Sequence, residues 1–221
     1  DVAALHAHYL KQARRTGAEL LTRAELLSAK REGGRWQLET AAGAVQAEVL
    51  VNAAGAWADP VARLAGVRPL GIRAFRRTMV QVRTEPLVPA DLPLVIDALG
   101  RFYFKPEAGG RLWLSPHDET ACDPCDCAPE ELDLALAIDR LEKAVTWKVE
   151  RVERSWAGLR SFAPDRVPVY GFASGRRDFF WFAGQGGFGI QTAPAAARMG
   201  AALLMGAEPE IDAAPYRAGR F

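Results

Sequence analysis

With 221 residues, 49% of them apolar and 25% charged, the sequence has the make-up of a globular protein of one large or two small domains with a sizeable core. A net charge of +1, with the basic residues scattered, leaves no field that would gather nucleic acid or an anionic membrane. No apolar run approaches the roughly 18 residues that cross a bilayer, and no signal peptide is recognisable at the start, so a cytoplasmic location is expected.

Val2, Leu5, Tyr9 and Ala13 recur at a helical period, and Gly17 is placed to end that helix. From residue 19 the pattern shortens to strands. They are Leu20-Leu21, residues 25–31, residues 35–40 after a Gly33-Gly34 turn, and residues 45–51 after an Ala42-Gly43 turn. Val49-Leu50-Val51 reads as a buried strand that needs parallel neighbours. Ala53, Ala54, Gly55 and Trp57 follow it, then a helix over residues 61–65 closed by Gly66. Small residues at the carboxyl end of a parallel strand let a ligand approach the backbone, although a tight strand-to-helix turn accounts for them equally well.

Residues 73–116 alternate strand and turn, with strands predicted at 78–83, 94–96, 102–105 and 112–115 and a Gly109-Gly110 hairpin turn between the last two, an antiparallel sheet. Cys122, Cys125 and Cys127 form C-x-x-C-x-C in an acidic loop with His117 nearby. A tetrahedral zinc site usually draws a second ligand pair from far along the chain, and none exists, so no metal is expected and the thiols read as reduced surface groups. A helix is predicted from residue 129 to 147, with Leu132, Leu136, Leu141, Ala144 and Val145 on roughly one face, and a strand at 149–156.

Two segments carry most of the chemistry. Trp156-Ala157-Gly158-Leu159-Arg160 places one arginine beside a glycine, and Gly184-Gln185-Gly186-Gly187-Phe188-Gly189-Ile190-Gln191-Thr192 is a glycine-dense loop running from the aromatic strand 179–183 into a helix over 195–205. Thr192 is placed to cap that helix and Pro194 to occupy its first turn. A helix N-terminus carries about half a positive charge and unpaired N–H groups, so a developing anion there is stabilised in advance. Glycines let backbone lie against a flat ring. A guanidinium suits paired hydrogen bonding to a carboxylate. No Ser-His-Asp or Cys-His arrangement is found, and the scarce histidines argue against a histidine base.

These segments, together with Val51-Asn52-Ala53-Ala54-Gly55-Ala56-Trp57, resemble the flavoenzymes of the D-amino acid oxidase superfamily, which includes glycine oxidase and sarcosine oxidase. Within it the likeness is nearest to the bacterial D-arginine dehydrogenases. The resemblance implies an α/β (α+β) fold, a parallel-sheet FAD-binding half joined to an antiparallel substrate domain. Residues 1–66 and 157–221 would form the first part and residues 67–156 the second. The superfamily's N-terminal strand with its G-x-G-x-x-G turn is not found near the start of the sequence, so the likeness is to the carboxyl-terminal portion of such an enzyme.

The resemblance also implies roles. Arg160 would hold the substrate carboxylate, with Arg77 and Tyr103 as further contacts. Gly187 would accept a hydrogen bond from the amine through its carbonyl, and Leu94 and Ile96 would wall the pocket. Ala53, Ala54, Gly55 and Trp57 would meet the ribityl and diphosphate part of FAD. Gly186, Gly187, Gly189, Ile190, Gln191 and Thr192 would meet its ring, and Ala24 would lie near the adenine. The implied reaction moves hydride from the substrate Cα to flavin N5, giving an imino acid that water converts to a keto acid and ammonia. The implied partner is a small-molecule amino-acid substrate. The alternative is a fragment that keeps the substrate-domain fold and binds no flavin.

Overall fold

The computed structural model describes residues 1–221, which divide into two compact units, residues 1–72 with 162–221 and residues 73–161. In the first unit, helix α1 (Val2–Arg15) is capped by the Asp1 carboxylate, which accepts from the Ala4 N–H, and buries none of its residues. A three-stranded antiparallel meander follows, β1 (Leu26–Glu32), β2 (Arg35–Thr40) and β3 (Gly43–Ala47). Gly33 and Gly34 take φ of 56° and 79° at its first turn, a conformation that favours glycine. Leu20 and Leu21, predicted as a strand, lie in an exposed loop because no neighbouring strand pairs with them.

The predicted strand 45–51 is two elements. After β3 the chain turns, and β4 (Leu50–Asn52) joins a different sheet, ordered β11-β12-β4. There β12 (Phe179–Ala183) runs parallel to β4, with Phe180 opposite Val51, while β11 (Val169–Phe172) is antiparallel to β12. Trp36 on β2 and Phe179 and Trp181 on β12 are fully buried and pack with Ala58 and Ala62 of helix α2 (Ala58–Leu64). Burial on this scale stabilises by about 1.5–3 kcal/mol for each large side chain. The Trp36 indole N–H donates to the Asp178 carbonyl at 2.6 Å, so its one polar atom is satisfied.

Helix α4 (Gly189–Leu204) starts earlier than the pattern predicts. It packs on β12 at Gly200, where an added Cβ would stand 2.8 Å from the Phe182 ring. Thr192 and Pro194 therefore sit inside the helix: Thr192 Oγ1 donates back to the Phe188 carbonyl at 2.9 Å and is not the cap.

The second unit is a six-stranded sheet ordered β10-β5-β8-β7-β6, with β9 also paired to β5; β5 to β9 pair antiparallel. Its strands are β5 (Arg73–Glu85), β6 (Val95–Ile96), β7 (Tyr103–Glu107), β8 (Arg111–Ser115), β9 (Thr120–Cys122) and β10 (Lys148–Phe162). Alternation along β5 from Thr78 to Thr84 buries Val80 and Val82, which pack with Leu112 and Leu114 of β8 and with Ala137 and Leu141 of helix α3 (Glu131–Ala144). The buried stripe of α3 is Asp133, Ala137 and Leu141. Leu132, predicted to face the core, is exposed, because Asp133 turns inward to meet an arginine on β5. No helix in the chain is long and apolar enough to cross a membrane.

Candidate functional site

In the first unit, β4 and β12 run side by side in the same direction, with Trp181 opposite Asn52, so the segments that follow them leave the sheet at the same end. That end, beyond the carboxyl ends of parallel strands, is where open α/β sheets place ligands. The segment after β4 is held open by its own polar residues. Asn52, 1% exposed, donates from Nδ2 to the Ala58 carbonyl at 2.7 Å and accepts the Ala54 N–H at 3.3 Å. Asp59 accepts the N–H groups of Leu70, Gly71 and Ile72 at 3.2, 2.9 and 3.1 Å, fixing the start of α2. Between these anchors Ala53 and Trp57 are exposed, Ala54 and Gly55 half-buried, and Gly55 takes φ 56° with no heavy atom within 4 Å of where a side chain would begin.

The segment after β12 is Gly184 to Phe188. Gly184 and Gly186 take φ of 77° and 57°, turning the chain sharply into α4. Phe188 is the residue before the helix and no side chain caps it. The first turn, Gly189, Ile190, Gln191 and Thr192, is exposed or half-exposed, with Gly187 and Phe188 exposed before it. An uncapped helix start with its N–H groups turned outward is a ready anion site. Ala24 stands apart from these two segments, just before β1 in the meander, half-buried.

The second unit gathers the arginines. Arg77 on β5 is 6% exposed and Arg160 on β10, a neighbouring strand, is half-buried. The Arg77 Nε donates to the Asp118 carbonyl at 2.6 Å, while its Nη1 is buried without a hydrogen-bond partner. Burial lowers the Arg77 pKa and the Arg160 charge lowers it further, with the oxygens of Tyr103 and Asp118 pulling the other way. A guanidinium stays protonated regardless, so an added anion here would be stabilised by two cations beyond what Tyr103 and Asp118 supply. The Tyr103 hydroxyl donates to the Met79 sulfur at 3.1 Å, and its ring packs edge-on to His117. Arg77 thus lies within electrostatic reach of both Arg160 and Tyr103.

The neighbouring Arg76 is differently placed. It pairs with Glu130 and, at 2.9 Å, with Asp133, and joins Asp118 at 3.8 Å. These carboxylates raise its pKa, the hydrogen bond with Glu130 most of all. Leu94 and Ile96 are 53% and 58% exposed at the sheet's short end strand, so neither is sheet core. Three residues that sequence reasoning passed over, Asn52, Asp59 and Asp118, set the backbone around both groups. Asp59 before a proline at a helix start carries a local signal; Asp118 carries none, since its partners lie 40 residues away.

The family profile described as "FAD dependent oxidoreductase" matches residues 1–203. Glycine oxidase of Pseudomonas putida is 30% identical over 181 residues, covering 81% of this chain and 47% of the relative. Glycine oxidase of Pseudomonas aeruginosa is 31% identical over 211 residues, covering 92% and 55%. The crystal structure of glycine oxidase from Geobacillus kaustophilus superposes with a TM-score of 0.77 at 25% identity, over 95% of this chain and 55% of that one. The chain therefore spans about half the length of the glycine oxidases it matches.

Proposed function

For a chain that belongs to the FAD-dependent oxidoreductase family, we propose oxidation of the Cα–N bond of an amino acid, D-configured or glycine-like, with FAD as the electron acceptor. The product is an imino acid, which water converts to a keto acid and ammonia. The observation that carries this reading is the buried, unpartnered Nη1 of Arg77 beside Arg160 and Tyr103. An α-carboxylate supplies such an anion with two oxygens in one plane, and two guanidiniums can share them.

The first unit offers residues that fit a flavin nucleotide. The free space at Gly55, and the small residues Ala53 and Ala54, admit a bulky group against backbone. The uncapped start of α4, with Gly186, Gly189, Ile190, Gln191 and Thr192, offers N–H groups and a positive dipole end to an electron-rich ring edge. In the first unit Gly187 is exposed, which suits a carbonyl contact with an amine; in the second unit Leu94 and Ile96 are exposed, which suits an apolar substrate contact. Bound FAD supplies the hydride acceptor. The residues of this chain supply orientation: in the second unit, Arg77, Arg160 and Tyr103 would fix the carboxylate end of the substrate.

The test is optical. Protein mixed with FAD and passed through gel filtration should retain the flavin's visible absorption. Anaerobic addition of glycine or a D-amino acid should then bleach it. A protein that leaves the column colourless, or a bound flavin that none of the amino acids bleaches, overturns the proposal.

A further inference from the structure

We propose that Cys122 and Cys125 form a thiol–disulfide exchange site that closes into an intramolecular disulfide on reaction with a small disulfide of the glutathione type. This site plays no part in the amino-acid chemistry above. The two Sγ atoms stand 3.5 Å apart, so an approach of about 1.5 Å brings them to bonding distance. Cys122 closes β9, where it sits opposite Ala74 of β5, and its thiol is also turned to the Asp123 carbonyl at 3.3 Å. Cys125 follows across Asp123 and Pro124 on an exposed stretch. One sulfur is thus tied to a sheet and the other reaches out from it across two residues, one of them a proline that limits how far the loop can stray.

Exposure divides the labour. Cys125 is exposed and Cys122 half-buried, so the outer sulfur meets the incoming disulfide and the inner one resolves the adduct. The Cys125 thiolate attacks one sulfur of the small disulfide. That S–S bond breaks, and the departing thiolate takes the electron pair and the proton given up by Cys125. Cys122 then attacks the Cys125 sulfur, forming the ring bond and expelling the second small thiol, which carries the Cys122 proton. The protein dithiol is oxidised by two electrons and one small disulfide is reduced to two thiols.

The same cluster is poorly built for a metal. No group of three His, Cys, Asp or Glu side chains in the chain is arranged to hold an ion. The hydrogen bond with Cys122 raises the Cys125 pKa, and desolvation and the charges of Cys122, Cys127 and Asp126 add to it. The Cys127 pKa is raised by burial first and by Cys122 next. A protonated thiol is a weak ligand and a slow nucleophile, so mildly alkaline pH favours attack by Cys125.

The full chain is incubated with oxidised glutathione at mildly alkaline pH, quenched with acid, and read by intact mass, thiol titration after unfolding, and peptide mapping. The expected product has lost two hydrogen atoms and shows one titratable thiol in place of three, with the link mapped between residues 122 and 125. Cys127→Ser should form the same ring and leave no thiol. Three persistent thiols, a stable glutathione adduct on Cys125 with Cys122 free, or a ring that includes Cys127 would each overturn the proposal.

Discussion

Arg77 and Asp118 hold each other from two directions. The Asp118 carbonyl accepts the Arg77 Nε at 2.6 Å, and the Asp118 carboxylate accepts the N–H of the next residue, Thr78, at 2.7 Å and its hydroxyl at 3.1 Å. The strand that carries the guanidinium and the turn that orients it are thereby locked together, leaving Nη1 as the free donor. Asp118→Ala orphans the fully buried Thr78 N–H and removes an anion near Arg76, and should destabilise the protein by about 2–4 kcal/mol. Asp118→Asn, which keeps an acceptor oxygen, should cost about half as much. Urea midpoints check both, and an unchanged midpoint in the alanine variant would show the lock to be decorative.

Arg160 is expected to trade stability for binding. Its charge weighs on the buried Arg77, so Arg160→Met should leave the unliganded protein as stable as the native one or more so. The same change should weaken binding of a simple α-amino carboxylate by about 10–100-fold, the range for hydrogen bonds to a charge. Arg160→Lys keeps the charge and loses the planar fork, and should fall between the two. Calorimetric titration against melting temperature separates the effects. Equal affinity in all three proteins would take Arg160 out of the carboxylate site.

The roles of Arg76 and Arg77 show where sequence reading stops. Two adjacent arginines are indistinguishable in a sequence, yet on an extended strand they face opposite sides, one towards Glu130 and Asp133 and the other towards Arg160. The alternation of β5 is visible in the residues, and the meander's turns are announced by Gly33-Gly34 and Ala42-Gly43. Strands β9 and β11 are not legible because they are three and four residues long, and β9 also owes its existence to β5, far back along the chain. The early start of α4 was hidden by its glycines: Gly189 has low helix propensity, and close packing of the helix at Gly200 overrides it.

Gly186 carries a second constraint besides its φ of 57°. A Cβ there would come within 2.8 Å of Phe162 Cδ1, closer than carbon atoms approach without displacement. Gly186→Ala should therefore destabilise the first unit by about 2–4 kcal/mol, combining backbone strain with overpacking. Gly175→Ala, at a similar φ of 71° but with open space around it, isolates the backbone part and should cost about 1–2 kcal/mol. Thermal unfolding of the pair gives the difference, and equal losses would remove the Phe162 contact from the account.

Glu153 on β10 accepts from Arg151 at 2.9 Å, Arg83 of β5 at 3.0 Å and Arg111 of β8 at 2.8 Å, tying three strands at one carboxylate. The Arg151 hydrogen bond, then those of Arg83 and Arg111, hold its pKa down to about 2. The unfolded chain has a glutamate pKa of about 4.3, so between these values it binds the extra proton and the folded state does not. The stabilisation is thus complete above about pH 5 and drains away as the pH falls through the folded value. Glu153→Gln should lower the urea midpoint at pH 7, and the gap to the native protein should close as the pH is taken towards 2. Added salt at pH 7 should narrow the gap as well, because three of the four groups are reached by solvent ions. A gap that stays constant from pH 7 to acid would mean that packing around residue 153, and not its charge, joins the strands.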